Sequence, residues 1–297
     1  MGVSLSDALV SVIIPVFNGE RHLEACLESV LGQTYQHLEV VISDQASEDR
    51  SLELIWSFAD PRIRVLPQPS RSLDLHGNWA RGIESSVGEF VKLVCQDDLL
   101  LPDCVSVQMA LLQEHPSAVL ACGRRRIIDD DDRVLIKDRG LGRLVGTGSR
   151  VVDGHTIVRA CTRAGANLLG EPVNVLIRRA ALPEPLFNPR WVYTIDIEFY
   201  LRCLEDSEAV LDSRTLCSFR VSHRQLSAVL AKGQAKELRA LFSELRRRYP
   251  SDLSYTDVQI GTLRAYLLAV ARRLLYFHMR APAWISRLYR AGGRARG

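Results

Sequence analysis

From Val10 to about Leu120 the chain alternates apolar, β-branched runs with segments of helical spacing, and this alternation limits the fold more than any other feature. The runs are Val10–Val16, Leu38–Ile42, Ile63–Leu66 and Phe90–Val94. Between the first two, Leu23, Cys26, Leu27, Val30 and Leu31 recur at three- and four-residue steps, which marks one buried helix face. Strands alternating with helices form a βαβ series, so the spacing predicts an α/β fold with a mainly parallel central sheet. Runs apolar on both faces belong inside such a sheet, and ligands gather outside the carboxyl ends of its strands.

Side chains just past those ends are therefore the first candidates for chemistry. Pro15 predicts that the first strand ends near it and opens into a loop at Phe17-Asn18-Gly19 on the ligand edge. The run Val91–Val94 delivers Cys95-Gln96-Asp97-Asp98, two adjacent carboxylates at a strand end. Acids so placed either handle a metal or phosphate or cap the helix after Pro102. After Leu120, Arg126-Ile127-Ile128 and Val134-Leu135-Ile136 flank Asp129 to Asp132, predicting a hairpin with a solvated acidic turn. Adjacent carboxylates on a turn diverge, which argues against calcium. Gly140, Gly142, Gly146 and Gly148 lack nucleotide-loop spacing and read as a mobile loop, and no GxGxxG follows the first strand, which excludes a dinucleotide-dependent oxidoreductase.

Beyond Ser227 the pattern predicts helices over about Ala228–Arg248 and Thr256–Met279. The second carries Leu263, Leu267, Val270, Leu274 and Phe277 along one side, with arginines over much of the remainder. That stripe either packs on the domain or lies in a membrane interface. The 297 residues, 47% hydrophobic and 25% charged, suffice for a full core. A net charge of +3 does not demand nucleic acid, although arginines crowd the C-terminal end. The seven cysteines are scattered and never spaced as CxxC, which speaks for a reducing cytoplasm and against zinc. No secretory signal and no apolar run of membrane-spanning length is visible, so the expectation is a cytoplasmic protein, soluble or peripheral on the inner face of the membrane.

Taken in order, several segments resemble the family 2 glycosyltransferases, inverting enzymes with the GT-A nucleotide-sugar fold. They are Val10-Ser11-Val12-Ile13-Ile14-Pro15-Val16-Phe17-Asn18-Gly19-Glu20, Ser29–Tyr35, Leu38–Asp44, Gly77-Asn78-Trp79-Ala80-Arg81-Gly82, Gly88-Glu89-Phe90, Gly170-Glu171-Pro172, Tyr193–Arg202 and Phe219–His223. The resemblance implies a GT-A domain over residues 1–226, with a nucleotide half at about 8–123 and an acceptor half at about 124–226. A helical, basic extension would occupy 227–297.

It also implies a site. Pro15, Phe17, Asn18, Glu20, Asp44, Asn78 and Gln96 would surround the nucleotide, with Asp44 accepting hydrogen bonds from base or ribose. Glu171 and Glu198 would line the sugar and acceptor pocket, and Arg220 would meet the leaving diphosphate. Asp97, Asp98 and His223 would hold Mg or Mn, Cys95 standing where the family's Asp-x-Asp motif begins. Asp196 would be the base that deprotonates an acceptor hydroxyl. The implied reaction moves a sugar from a UDP- or TDP-sugar to a glycan, lipid-linked or polysaccharide-precursor hydroxyl, with inversion. Two rivals stay open here, a non-catalytic sugar-nucleotide-binding or membrane-associated scaffold and, further off, a sugar nucleotidyltransferase.

Overall fold

The computed structural model describes residues 8–69, 73–222 and 233–280, with side chains of the last helix as far as Arg273. Strands β1 (Val10–Val16), β2 (Leu38–Asp44), β3 (Ile63–Val65) and β4 (Phe90–Leu93) alternate with helices α1 (Leu23–Leu31), α2 (Ser51–Ser57) and α3 (Leu75–Glu84). The chain continues through β5 (Leu99–Leu100), α4 (Cys104–Glu114), β6 (Ala118–Ile128), β7 (Val134–Arg139), β8 (Ser149–Asp153), α5 (Gly154–Ala164) and β9 (Val175–Arg178). It ends in α6 (Ile195–Cys203), β10 (Glu208–Arg220), α7 (Gln234–Arg248) and α8 (Tyr255–Arg280).

All strands join one sheet in the order β3-β2-β1-β4-β9-β6-β10-β5, with β7 beside β6 and β8 beside β10. The parallel character expected of the sheet holds for β3, β2, β1 and β4 and again between β6 and β10. β9 enters antiparallel to both β4 and β6, so those two strands run in the same direction and the sheet is mixed. Six strands therefore end on one edge. The order turns about β1, with β2 on one side and β4 on the other, which opens a crevice where the loops after β1 and β4 leave the sheet.

Burial explains the layers. Every residue of β1 is buried, and alternation sends Val10, Val12, Ile14 and Val16 to one face and Ile13 to the other. The first face packs on Leu23, Leu27 and Val30 of α1 and on Val105, Met109 and Leu112 of α4. The second packs on Trp79 and Ile83 of α3 and continues through α5, α6 and α7. Each such aliphatic side chain contributes about 1.5–3 kcal/mol by leaving water.

β1 ends at Val16, one residue past Pro15 and where expected, its register with β2 matching Pro15 with Ser43. One local expectation changes, and one open alternative is narrowed. The glycine-rich loop docks: Leu141, Leu144 and Val145 are buried, and the Leu141 amide donates to the Leu168 carbonyl at 2.7 Å. Of the two places open to the apolar stripe of α8, Leu263, Leu267 and Val270 are turned away from the domain, and Val258, Ala265 and Ala269 pack inward. α8 crosses α5 so closely that a Cβ on Gly261 would lie 1.8 Å from the Thr162 carbonyl oxygen. Gly261→Ala is therefore expected to destabilise the chain by about 1–3 kcal/mol in urea unfolding; a wild-type midpoint would show that this crossing does not limit the packing.

Candidate active site

The β1 loop is built by its neighbours. Asn18 adopts a left-handed backbone (φ 49°), a conformation Asn tolerates better than most residues. Its amide donates to Ser47 Oγ at 2.9 Å and its Oδ1 accepts from the Glu48 amide at 2.8 Å. The Glu20 amide donates to Asp49 Oδ2 at 2.9 Å, and Glu20 Oε2 accepts from the Arg50 amide at 3.2 Å. Gln96, past the end of β4, closes the crevice: its Oε1 accepts from the Phe17 amide at 2.8 Å and its Nε2 donates to the Phe17 carbonyl at 3.0 Å. These bonds turn the Phe17 ring out, 51% exposed, at the mouth.

Asp44 ends β2 beside this loop and is fully buried. Its carboxylate accepts from Ser47, through both amide and hydroxyl, and from Gln68 Nε2 at 2.7 Å. Asn78 lies on α3 with its Oδ1 accepting from Ser43 Oγ at 2.7 Å, and Arg81 reaches the same hydroxyl and the Pro67 carbonyl. Both thus sit under β2 and β3 and tie α3 to the sheet.

At the end of β4, Asp97 and Asp98 diverge. Asp98 is buried, its Oδ1 accepts from the Arg220 amide at 3.0 Å, and its Oδ2 has no hydrogen-bond partner among the described residues. Burial, and then the neighbouring Asp97 charge, push its carboxyl well above the usual range. Asp97 is the more accessible of the two. The Cys95 thiol is also raised well above its ordinary value, first by burial and then by the charges of Asp98 and Asp97, which disfavours its thiolate. His223 lies outside the described residues. Among the described residues no three His, Cys, Asp or Glu side chains form a metal-binding group. What remains is an oxygen donor set, the Asp97 carboxylate with the orphaned Asp98 Oδ2 behind it. This fits Mg or Mn, which accept partly built oxygen sites.

The Arg220 guanidinium is buried and donates to the Asp97 carbonyl at 2.8 Å, the Asp129 carbonyl at 2.7 Å and Asp132 Oδ1 at 2.6 Å. It therefore clamps the hairpin turn onto the end of β4. The acidic turn is correspondingly docked on one side, with Asp129 and Asp130 half-buried, while Asp131 and Asp132 stay exposed as expected of a solvated turn. Asp130 pairs with His22 Nε2 at 3.3 Å and accepts from Ser222 Oγ at 3.0 Å, because Arg220 draws the turn in over the start of α1. Burial, and next the Arg220 charge, hold the His22 imidazole below its ordinary value.

The second acidic centre is Asp196 in the first turn of α6. Its Oδ1 accepts from the Ile197 amide at 2.7 Å and its Oδ2 from Asn167 Nδ2 at 2.9 Å. The Asn167 amide is itself fixed, since its Oδ1 accepts from the Leu169 and Gly170 amides at 3.0 and 3.2 Å and its Nδ2 also donates to the Gly170 carbonyl at 2.7 Å. Burial, and next the charge of Glu171, push the Asp196 carboxyl up to about 7. Glu171 is held by the buried Arg125 in a two-toothed ion pair. Glu198 does not join this group. It pairs with Arg202 one turn along α6 at 2.8 Å, as residues two apart on a helix point different ways.

The structure thus brings Phe17, Asn18, Glu20, Asp44 and Gln96 together at the crevice, and Cys95, Asp97, Asp98, Glu171 and Asp196 around the ends of β4 and α6. Asn167 and Arg125 were not singled out from the sequence. The available signal for Arg125 is alternation along β6, which puts it on the same side as the buried Ile127; for Asn167 there is none beyond its nearness to Gly170-Glu171.

A mixed sheet with acids at one strand edge and a crevice at its turning point is the architecture of the GT-A glycosyltransferases. The chain matches the family described as Glycosyl transferase family 2 over residues 11–181 and belongs to that family. It is 24% identical over 283 residues to an uncharacterized glycosyltransferase of Rickettsia typhi, covering 89% of this chain and 84% of that protein. Two further curated relatives are spanned over 64% and 38% of their length. Among solved structures it is similar in fold to the TarS protein of S. aureus (residues 1–349) in complex with UDP-GlcNAc, with a TM-score of 0.62 at 17% identity over 86% of this chain and 71% of that one. A mannosyltransferase of Pyrobaculum calidifontis in complex with GDP-Man and Mn2+ gives a TM-score of 0.57 at 18% identity, over 96% and 79% of the two chains.

Arg220→Ala is expected to lower stability by about 3 kcal/mol in denaturant unfolding, because it leaves buried polar groups of the turn and of β4 unpartnered. A loss under about 1 kcal/mol would show that the clamp is not what holds the turn.

Proposed function

We propose that this glycosyltransferase moves a sugar from a UDP- or TDP-sugar to a glycan, lipid-linked or polysaccharide-precursor hydroxyl, with inversion by direct displacement. The observation that carries the proposal is Asp196, a carboxyl pushed up to about 7 beside Glu171 and oriented by Asn167. A base near the working pH has the basicity to take a hydroxyl proton while remaining substantially ionised. One base suffices for displacement at an anomeric carbon, whereas glycoside hydrolysis generally needs a second carboxyl as acid.

Phe17 at the mouth offers a face for a nucleobase, and the loop of Pro15, Asn18 and Glu20 with Asp44 and Gln96 borders that space. Asp97 would hold Mg or Mn, together with oxygens of the donor diphosphate. When bound, that ion neutralises charge developing on the departing diphosphate. The neighbours that carry UDP-GlcNAc and GDP-Man support nucleotide-sugar donors as a class, since the same fold serves both.

Asp196→Asn is expected to reduce transfer by at least about a hundredfold while leaving donor affinity, read by calorimetric titration of nucleotide sugars with Mn, within about twofold. Retained turnover would remove Asp196 from the base role.

The pH profile has a definite sign. Asp196 works when deprotonated, so kcat is expected to fall below pH about 7 as the carboxyl takes up a proton. Asn167 donates to the charged carboxylate and lowers its pKa, so Asn167→Ala is expected to move the acid limb to higher pH and lower kcat more than it raises KM. An unmoved limb would show that Asn167 does not orient the base.

A further inference from the structure

The outward face of α8 is not needed by the fold or by the acidic centres. Leu263, Tyr266, Leu267 and Val270 are 62%, 45%, 61% and 54% exposed, and their spacing of three and four residues lines them up along the helix. Val258, Ala265 and Ala269 on the opposite side are buried against α5 and α7, so the domain leaves the larger apolar side chains uncovered. Exposed Arg264 and Arg273 flank the stripe.

Charge selects what covers it. From Tyr255 onward the chain carries eight arginines and one acidic residue, Asp257, whereas the whole chain is only +3, so the part before Tyr255 is net negative. Asp257 itself is buried and paired with Arg159 and Arg163, which leaves the outward side of α8 without a carboxylate. A second copy of the chain would bring two strongly positive segments together. An apolar stripe bordered by arginines on an otherwise acidic body instead matches an anionic lipid surface, which takes the apolar side chains below its headgroups and the guanidiniums at its phosphates.

We infer that α8 docks flat on an anionic membrane through Leu263, Tyr266, Leu267 and Val270. No helix among the described residues is long and apolar enough to cross a membrane, and the docked helix lies in the interface. Binding of this kind does not depend on donor turnover, so it stands or falls separately from the reaction proposed above.

The test floats the full-length protein with phosphatidylcholine vesicles and with vesicles that also contain phosphatidylglycerol. The expected result is flotation with the mixed vesicles only, reversed by high salt. Leu263→Glu combined with Leu267→Glu, and separately Leu263→Ser combined with Leu267→Ser, are expected to lower partitioning at least about tenfold with an unchanged melting temperature. Equal flotation with neutral vesicles would overturn the inference, as would unchanged partitioning of both double variants. So would a wild-type dimer in light scattering that these variants dissolve, since the face would then be covered by a second copy.

Discussion

The site depends on the buried guanidinium of Arg220. It stands at the end of β10, two strands from β9 and three from β4, yet it holds the Asp97 carbonyl, the Asp129 carbonyl and Asp132, while its own amide holds Asp98. One side chain thus fixes the end of β4, the end of β10 and the hairpin after β6 relative to one another. A planar donor array serves this better than a flexible ammonium, because its several N–H groups reach different acceptors at once. The acidic turn then closes on His22 at the start of α1, which joins the β6–β7 hairpin to the helix after β1.

Around that clamp the acids divide by environment. Asp98 is enclosed and disfavours charge, Asp97 is nearer to solvent, and Asp196 is raised by burial and by Glu171 while Asn167 steadies its charged form. Cys95 lies near these carboxylates, and burial together with the Asp98 and Asp97 charges raises its thiol well above the ordinary value.

Much of the β1–β4 side was legible because its signals are local. Val10–Val16 is apolar except for Ser11, and the observed strand has those bounds. The hairpin of β6 and β7 also follows from the pattern on either side of its aspartates. The docking of one side of the turn was not legible because the partner that holds it, Arg220, lies 88 residues away from Asp132 in the chain, and a like-charged run carries no mark of a distant cation. Helix α5 is missing from the sequence-based expectations although its signals are local: Asp153 caps its start, Ile157, Val158 and Cys161 form its buried face, and Gly165 turns left-handed at its end. The outward stripe of α8 shows the converse: the spacing of Leu263, Leu267 and Val270 was plain, but only the packing of Ala265 and Ala269 decides which side meets the domain.

The account rests most on one carboxylate acting as a base for single displacement, and the stereochemistry of the first product tests that directly. With an α-linked nucleotide sugar and Mn, the sugar released to water or transferred to an acceptor can be followed by proton NMR before anomers interconvert. The account predicts the β anomer first. The α anomer as the first product would contradict it, since retention requires a covalent intermediate or a leaving-group-side attack that Asp196 alone does not provide.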